Sequence, residues 1–218
     1  MKEILIISFF IIIALFSCES TKSDNQIDNE ICLSKHFFYT YDEKYYIDTL
    51  LQNDYLLIGF YESSSNDDII TFLESTRLFT SDSLSTISSS GYILTIKRFE
   101  KSQTCTEINE IIEDLETNEN VAFAAYTYKG EFCFGFDCTE LMSYSHEFVV
   151  SLNDISDFHR LQILCQNTDT WISEETEYYY VLRVDKNSQG NALEMANFFY
   201  ESGLFYYSHP NFHYFNIE

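Results

Sequence analysis

Five histidines, thirty-five carboxylates and six cysteines hold the chain's capacity for acid–base, nucleophilic or metal chemistry, and their spacing decides whether it can be used. The histidines are His36, His146, His159, His209 and His213. His209 and His213 are four apart, but Pro210 between them forbids a regular helix presenting both to one metal. On a strand they would share a face, and a zinc site would still lack its third and fourth ligands nearby. The acidic pairs Asp67–Asp68, Glu113–Asp114 and Glu174–Glu175 fall at a helix start, on a helix face and in a turn, where carboxylates are ordinarily solvated. General-acid work needs one carboxyl pushed into an apolar pocket, and no pattern here implies that. The six glycines form no phosphate-cradling loop, and no nucleophile elbow of the Gly-x-Ser-x-Gly type occurs. The serine runs Ser63–Ser65 and Ser88–Ser90 are flexible and hold no nucleophile in place. The expectation is a non-catalytic chain with no cofactor and no metal.

The cysteines point to export instead. Met1-Lys2 is followed by an apolar run from Ile4 to Phe16, 13 residues long, short of the roughly 20 that span a bilayer as a helix. A lysine, a short apolar stretch and a small residue before a cleavage point make a secretory signal. Leu15-Phe16-Ser17-Cys18 resembles the lipobox of bacterial lipoproteins, which implies that residues 1–17 are removed and that Cys18 carries lipid, palmitate included. Phe16 is bulkier than that pattern prefers; an ordinary signal peptide or an uncleaved anchor is the alternative. Residues 18–35 are polar, with too little to bury to offset their ordering entropy, and read as a disordered tether. Glu19 after the cysteine resembles the sorting pattern for the outer membrane. The expected location is the cell envelope, lipid-anchored to a membrane. Cys32, Cys105, Cys133, Cys138 and Cys165 remain, an odd number, so at least one thiol is free or pairs outside the chain. Cys105 and Cys165 fall in helical patterns and read as buried, inert thiols.

A formal charge of −23 repels phosphate backbones and excludes nucleic acid as a natural partner. With 17 Tyr and 20 Phe the chain can nevertheless build a packed core.

The elements that would position any site alternate strand and helix. Phe37–Tyr41 and Tyr45–Leu50 flank a turn at Asp42–Lys44 and read as a hairpin. Asp54–Tyr61 is a strand, Asn66 caps a helix with Ile69, Ile70 and Leu73 inward, and Tyr92–Phe99 is a strand. Thr104 and Glu107 form a capping-box pattern before a helix with Ile108, Ile111, Ile112 and Leu115, and Val121–Tyr126 closes the series. A further hairpin is expected to turn at Lys129–Gly130. The order then recurs: strand Glu147–Leu152, a helix capped by Ser156, strand Tyr178–Val184, a capping box of Asn191 and Glu194 before another helix, Gly203 as its stop, and a strand from Leu204 whose pairing Pro210 limits or ends.

Equivalent points are offset by 93 residues (54 to 147), 90 (66 to 156) and 87 (104 to 191), the drift that two copies with slightly shorter loops would give. Adding weaker strands near Leu84–Ile87 and Trp171–Ser173 yields βαββαβ twice, the ferredoxin-like order. The fold expectation is α+β: two tandem ferredoxin-like units, 36–140 with the aromatic hairpin and 141–218, each with helices on one face of an antiparallel sheet. One irregular α+β domain is the alternative.

Two segments carry a family resemblance. Residues 191–212, NALEMANFFYESGLFYYSHPNF, are similar to the end of the N-terminal propeptide region of secreted bacterial subtilases, the subtilisin-type serine peptidases. Residues 37–41 through 53–60 more loosely resemble the hairpin and first strand that open that region. The resemblance implies a ferredoxin-like fold that binds and inhibits a peptidase, with the segment after the last strand lying in the substrate cleft as an added strand. It places partner contacts at Tyr207, His209, Asn211, Phe212 and Tyr214. The peptidase's own Asp, His and Ser motifs are absent from the sequence, and His209 stands where the related sequences carry an acid. The leading expectation is a propeptide-like lipoprotein that binds a subtilisin-type peptidase. The alternatives are a surface module for peptide or glycan using exposed tyrosines, and a remnant of a truncated peptidase.

Overall fold

The computed structural model describes residues 36–40, 42–81, 86–130 and 140–216. The signal segment 1–17, Cys18, the tether 18–35 with its Cys32, and Cys133 and Cys138 lie outside the described residues. Lys129, the first residue of the hairpin turn expected at Lys129–Gly130, is still paired with Leu141.

Alternating aromatic residues form the opening hairpin, β1 (Phe37–Thr40) and β2 (Glu43–Tyr46), in register from Phe37–Tyr46 to Thr40–Glu43. The turn is tighter than three residues, with Asp42 at φ +68°, a conformation that aspartate tolerates. Then come β3 (Leu51–Tyr61), α1 (Asn66–Thr76), β4 (Thr86–Ser89), β5 (Tyr92–Arg98), α2 (Cys105–Glu116) and β6 (Val121–Lys129). They are followed by β7 (Glu140–Leu152), α3 (Phe158–Thr168), β8 (Trp171–Glu175), β9 (Tyr180–Arg183), α4 (Ala192–Glu201) and β10 (Phe205–Asn216). The fold is α+β, and its main sheet is antiparallel with eight strands.

The sheet runs β4-β5-β3-β6-β7-β9-β8, with β10 also on β7. Ten of β7's residues, from Glu140 to Leu152, pair with β10. Its other edge is shared: Leu141 and Met142 meet β6, and Glu147–Val150 meet β9. β7 is therefore the strand that joins the two halves of the sheet.

Side chains alternate across each strand. Phe60 meets Phe72 of α1, and the Tyr126 hydroxyl donates to the Cys105 carbonyl and Asn109 of α2, so one face of the first half lies under its helices. In the second half Phe148 meets Phe199 of α4, and Phe158 of α3 stacks on Tyr180. The hairpin docks on α4, where Asn197 Nδ2 donates to the Phe37 carbonyl at 2.7 Å and the Tyr39 and Tyr200 rings stack at 4.4 Å.

Both capping boxes form: Thr104 with Glu107 on α2, and Asn191 with Glu194 on α4. Two caps sit elsewhere than expected. Ser65, not Asn66, accepts from the Asp68 amide, because Asn66 already has helical position. Ser156 caps nothing: the Asp154 carboxylate accepts its amide at 2.8 Å, winding Ile155–Asp157 into a 3-10 turn before α3. Pro210 does not end β10, which continues to Asn216 past an irregularity between Pro210 and Phe212. Proline is tolerated there because the strand is at a sheet edge and the ladder is already broken. Cys105 is not an inert thiol but disulfide-bonded; Cys165 is free and buried, and burial pushes its thiol up.

Candidate partner-binding face

In the second half α3 and α4 cover one side of the sheet. Alternation then forces the intervening residues of four strands onto the other side. Three rows result. Ser151 of β7 lies beside Tyr207 of β10; Val149 lies between Val181 of β9 and His209 of β10; Glu147 lies beside Arg183 of β9, itself beside Trp171 of β8. Tyr207 is 42% exposed and Trp171 37%. Val149 and Ser151 are half-buried. The face thus has Val149 and Val181 at its centre, polar or charged side chains around them and aromatic corners.

One charged network closes its far end. Glu147 accepts from Arg183 Nε at 3.0 Å and from Asn211 Nδ2 at 3.1 Å. Burial works against the Glu147 charge, but hydrogen bonds from Ser90 and Arg183, the neighbouring His146 and the Asn211 amide together hold its carboxyl below the usual range. His209 is held neutral by burial, and its Nδ1 donates to the Pro210 carbonyl at 2.7 Å, which fixes the tautomer.

Beside this face, between the hairpin, the end of α4 and the first residues of β10, lies a groove of about 880 Å³ lined by Tyr39, Asp42, Tyr200, Tyr206, Tyr207 and His209 among others. Its tyrosine hydroxyls are tied to acids: Tyr39 donates to Glu201 at 2.6 Å, and Tyr200 donates to Asp42. Desolvation and the Glu201 contact push the Tyr39 phenol up to about 12.

All five sequence-nominated contact residues lie on β10, but not together. Tyr207 and His209 belong to both the face and the groove, whereas the Asn211 amide is engaged with Glu147. Past the irregularity Phe212 packs on Phe38 and His209, and Tyr214 pairs with Met142. The tail expected to lie free in a peptidase cleft is instead a paired strand through Asn216, with Phe215 2% exposed in the core. Its alternating aromatic residues find a buried partner in β7, which a free tail would forgo.

Among the described residues no three His, Cys, Asp or Glu side chains, His209 and His213 included, are grouped to hold an ion. Asp67 and Asp68 occupy the first turn of α1, and Glu174 and Glu175 lie exposed on β8 rather than in a turn. Sequence reasoning missed Trp171, Val149, Val181 and the Glu147–Arg183–Asn211 network. The strand alternation of Phe148–Ser151 was the available signal for Val149; the network joins residues from three strands and has no local signature.

Fold and face define an α+β protein whose second half exposes two aromatic side chains, Trp171 and Tyr207, on the side of the sheet away from the helices. No protein-family model matches the chain, and no curated protein is significantly similar to it.

Proposed function

We propose that the chain is a non-catalytic lipoprotein, anchored in the cell envelope through Cys18, that binds a subtilisin-type peptidase through the open sheet face of its second half. The observation that carries this reading is the strip whose corners, Trp171 and Tyr207, are exposed and whose middle, Val149 and His209, is half-buried, a surface with aromatic anchors suited to a protein partner. The duplicated-unit reading is supported by strand order: β4-β5-β3-β6 and β8-β9-β7-β10 place the second, third, first and fourth strands of each series side by side, as in a ferredoxin-like unit. The disulfide at Cys105 favours an oxidising, exported environment. Because the tail is a paired strand, contact is assigned to the face and not to insertion of the C-terminus.

The test titrates the full acylated chain, in detergent micelles, against subtilisin-type peptidases cleaving a chromogenic peptide. Dose-dependent inhibition is expected, weakened about 30-fold by Tyr207→Ala, the loss of one anchor worth about 2 kcal/mol, and abolished by Val149→Asp. Absence of inhibition, or inhibition untouched by both substitutions, refutes the assignment.

A second reading, a module for glycan or peptide, rests on the groove whose wall is the stacked Tyr39–Tyr200 pair. It expects oligosaccharide or peptide binding that Tyr200→Ala removes and Val149→Asp spares.

A further inference from the structure

The two halves of the sheet meet around one imidazole. His146 of β7 is 0% exposed, and neither ring nitrogen has a hydrogen-bond partner. Its ring lies 4.1 Å from the Tyr92 ring of β5 and 5.3 Å from the Phe123 ring of β6, centroid to centroid, so aromatic side chains of the first half enclose a residue of the second. Two hydrogen bonds cross the same joint: the Lys186 amide donates to the Ala122 carbonyl at 2.9 Å, and Lys186 Nζ donates to the Asn118 carbonyl at 2.6 Å. A buried imidazole without partners forfeits hydrogen bonds that water would supply, so helix or strand stability does not account for its presence.

The groups that would answer a proton on this ring are few. Tyr92 faces it from β5, and Phe123 of β6 carries no charge. Glu147, its neighbour on β7, places Oε1 3.8 Å from Nε2, but that oxygen is already taken by Arg183 Nε of β9. Arg183 sets positive charge against a second cation. His213 of β10, whose own burial favours its neutral ring, would do the same only once protonated, and its Nε2 is buried without a partner. An imidazolium here would have a shared, poorly aligned carboxylate on one side and aromatic walls on the other.

We propose that His146 is a proton-operated latch between the halves: neutral, it is packed under Tyr92 and Phe123; protonated, it leaves that cage, and the joint at residues 184–186 and β6 opens while the helices stay folded. The latch belongs to the fold and does not depend on any partner. Burial holds the folded imidazole down at about 4, against an ordinary value of about 6.5 once opened. Linkage between those two values favours the open joint about 30-fold more at pH 5 than at pH 7.5.

Amide hydrogen exchange on the full chain, corrected for intrinsic rates, reads this directly. The Lys186 amide should lose about 30-fold protection between pH 7.5 and pH 5, while amides within α2 and α4 remain better protected than it at both pH values. His146→Leu, of similar volume, should abolish the acid response. NMR titration of the wild-type His146 ring supplies a second readout that needs no variant: the ring should stay neutral until joint protection is lost. An unchanged acid response in His146→Leu overturns the latch. So does protection of the joint equal to that of the helices at pH 5, or a ring that titrates near its ordinary value with the joint closed.

Discussion

Gly59 is in the middle of β3, paired with Leu94 on one side and Phe123 on the other, and alanine there should destabilise the protein for reasons of space alone. A Cβ at Gly59 would lie 2.1 Å from Phe123 Cε1, with Cζ at 2.5 Å and Cδ1 at 2.6 Å. Carbon atoms prefer about 3.5 Å or more, so the ring would have to retreat by about 1.4 Å. It has nowhere to go, because Tyr92 and His146 pack on its other sides. Freed of the clash, Gly→Ala in a strand gains about 0.4–1 kcal/mol by restricting the unfolded chain. Overpacking typically costs about 1–3 kcal/mol, so Gly59→Ala should lose about 1–2 kcal/mol net. Urea unfolding followed by the fluorescence of the single tryptophan, Trp171, measures it. Phe123→Ala should by itself cost about 3–5 kcal/mol through the cavity it leaves. In that background Gly59→Ala should become neutral or stabilising, because the new methyl enters vacated space. A Gly59→Ala that is neutral alone, or equally costly with and without Phe123, would refute the steric account.

Asn191→Ala removes the side-chain acceptor of the α4 capping box and should cost about 1 kcal/mol, read by calorimetry as a fall of roughly 2–4 °C in Tm. Cys105→Ser should lower stability by about 2–4 kcal/mol, and reductant should cost the variant less than it costs the wild type. Stability should fall as pH drops from about 6.5 towards 4, since the unfolded chain protonates His146 before the folded one does; complete linkage amounts to about 3 kcal/mol. Glu147 has the same sign further down: its lowered carboxyl contributes above the ordinary carboxyl range and is lost as pH falls through its folded value. Glu147→Gln should therefore flatten the lower part of the curve only, as denaturant titrations across pH would record.

Local features were the legible ones. The Thr104–Glu107 and Asn191–Glu194 pairs announce their helices because a capping box is complete within four residues. Likewise Gly203, at φ +73°, marks the end of α4. What could not be read depends on residues far apart. Ser156 loses its role to Asp154, which offers its carboxylate two residues earlier; both look like caps in sequence. Pro210 signals an interruption, but only the length of β7 decides that β10 resumes beyond it. Among site residues, Tyr207 and His209 were named through a family pattern. Trp171 and Val149 reach the same face only through the pairing of β8 with β9 and of β9 with β7.

The two halves treat the side of the sheet away from their helices differently, and that contrast argues for where a partner would sit. In the first half Leu57, Leu94 and Ile96 share that side and are fully buried, and the Tyr92–Phe123 portion is closed by His146 from the second half. In the second half the corresponding surface ends in exposed Trp171 and Tyr207, with half-buried Val149 between them. Burying an aromatic pair and a valine is worth several kcal/mol by apolar area, so leaving them to solvent forgoes stability that the first half collects. If the exposed strip served folding alone, polar replacements at Tyr207 and Val149 would raise solubility with no other consequence. A face kept for recognition predicts the opposite pattern: stability nearly unchanged and binding lost.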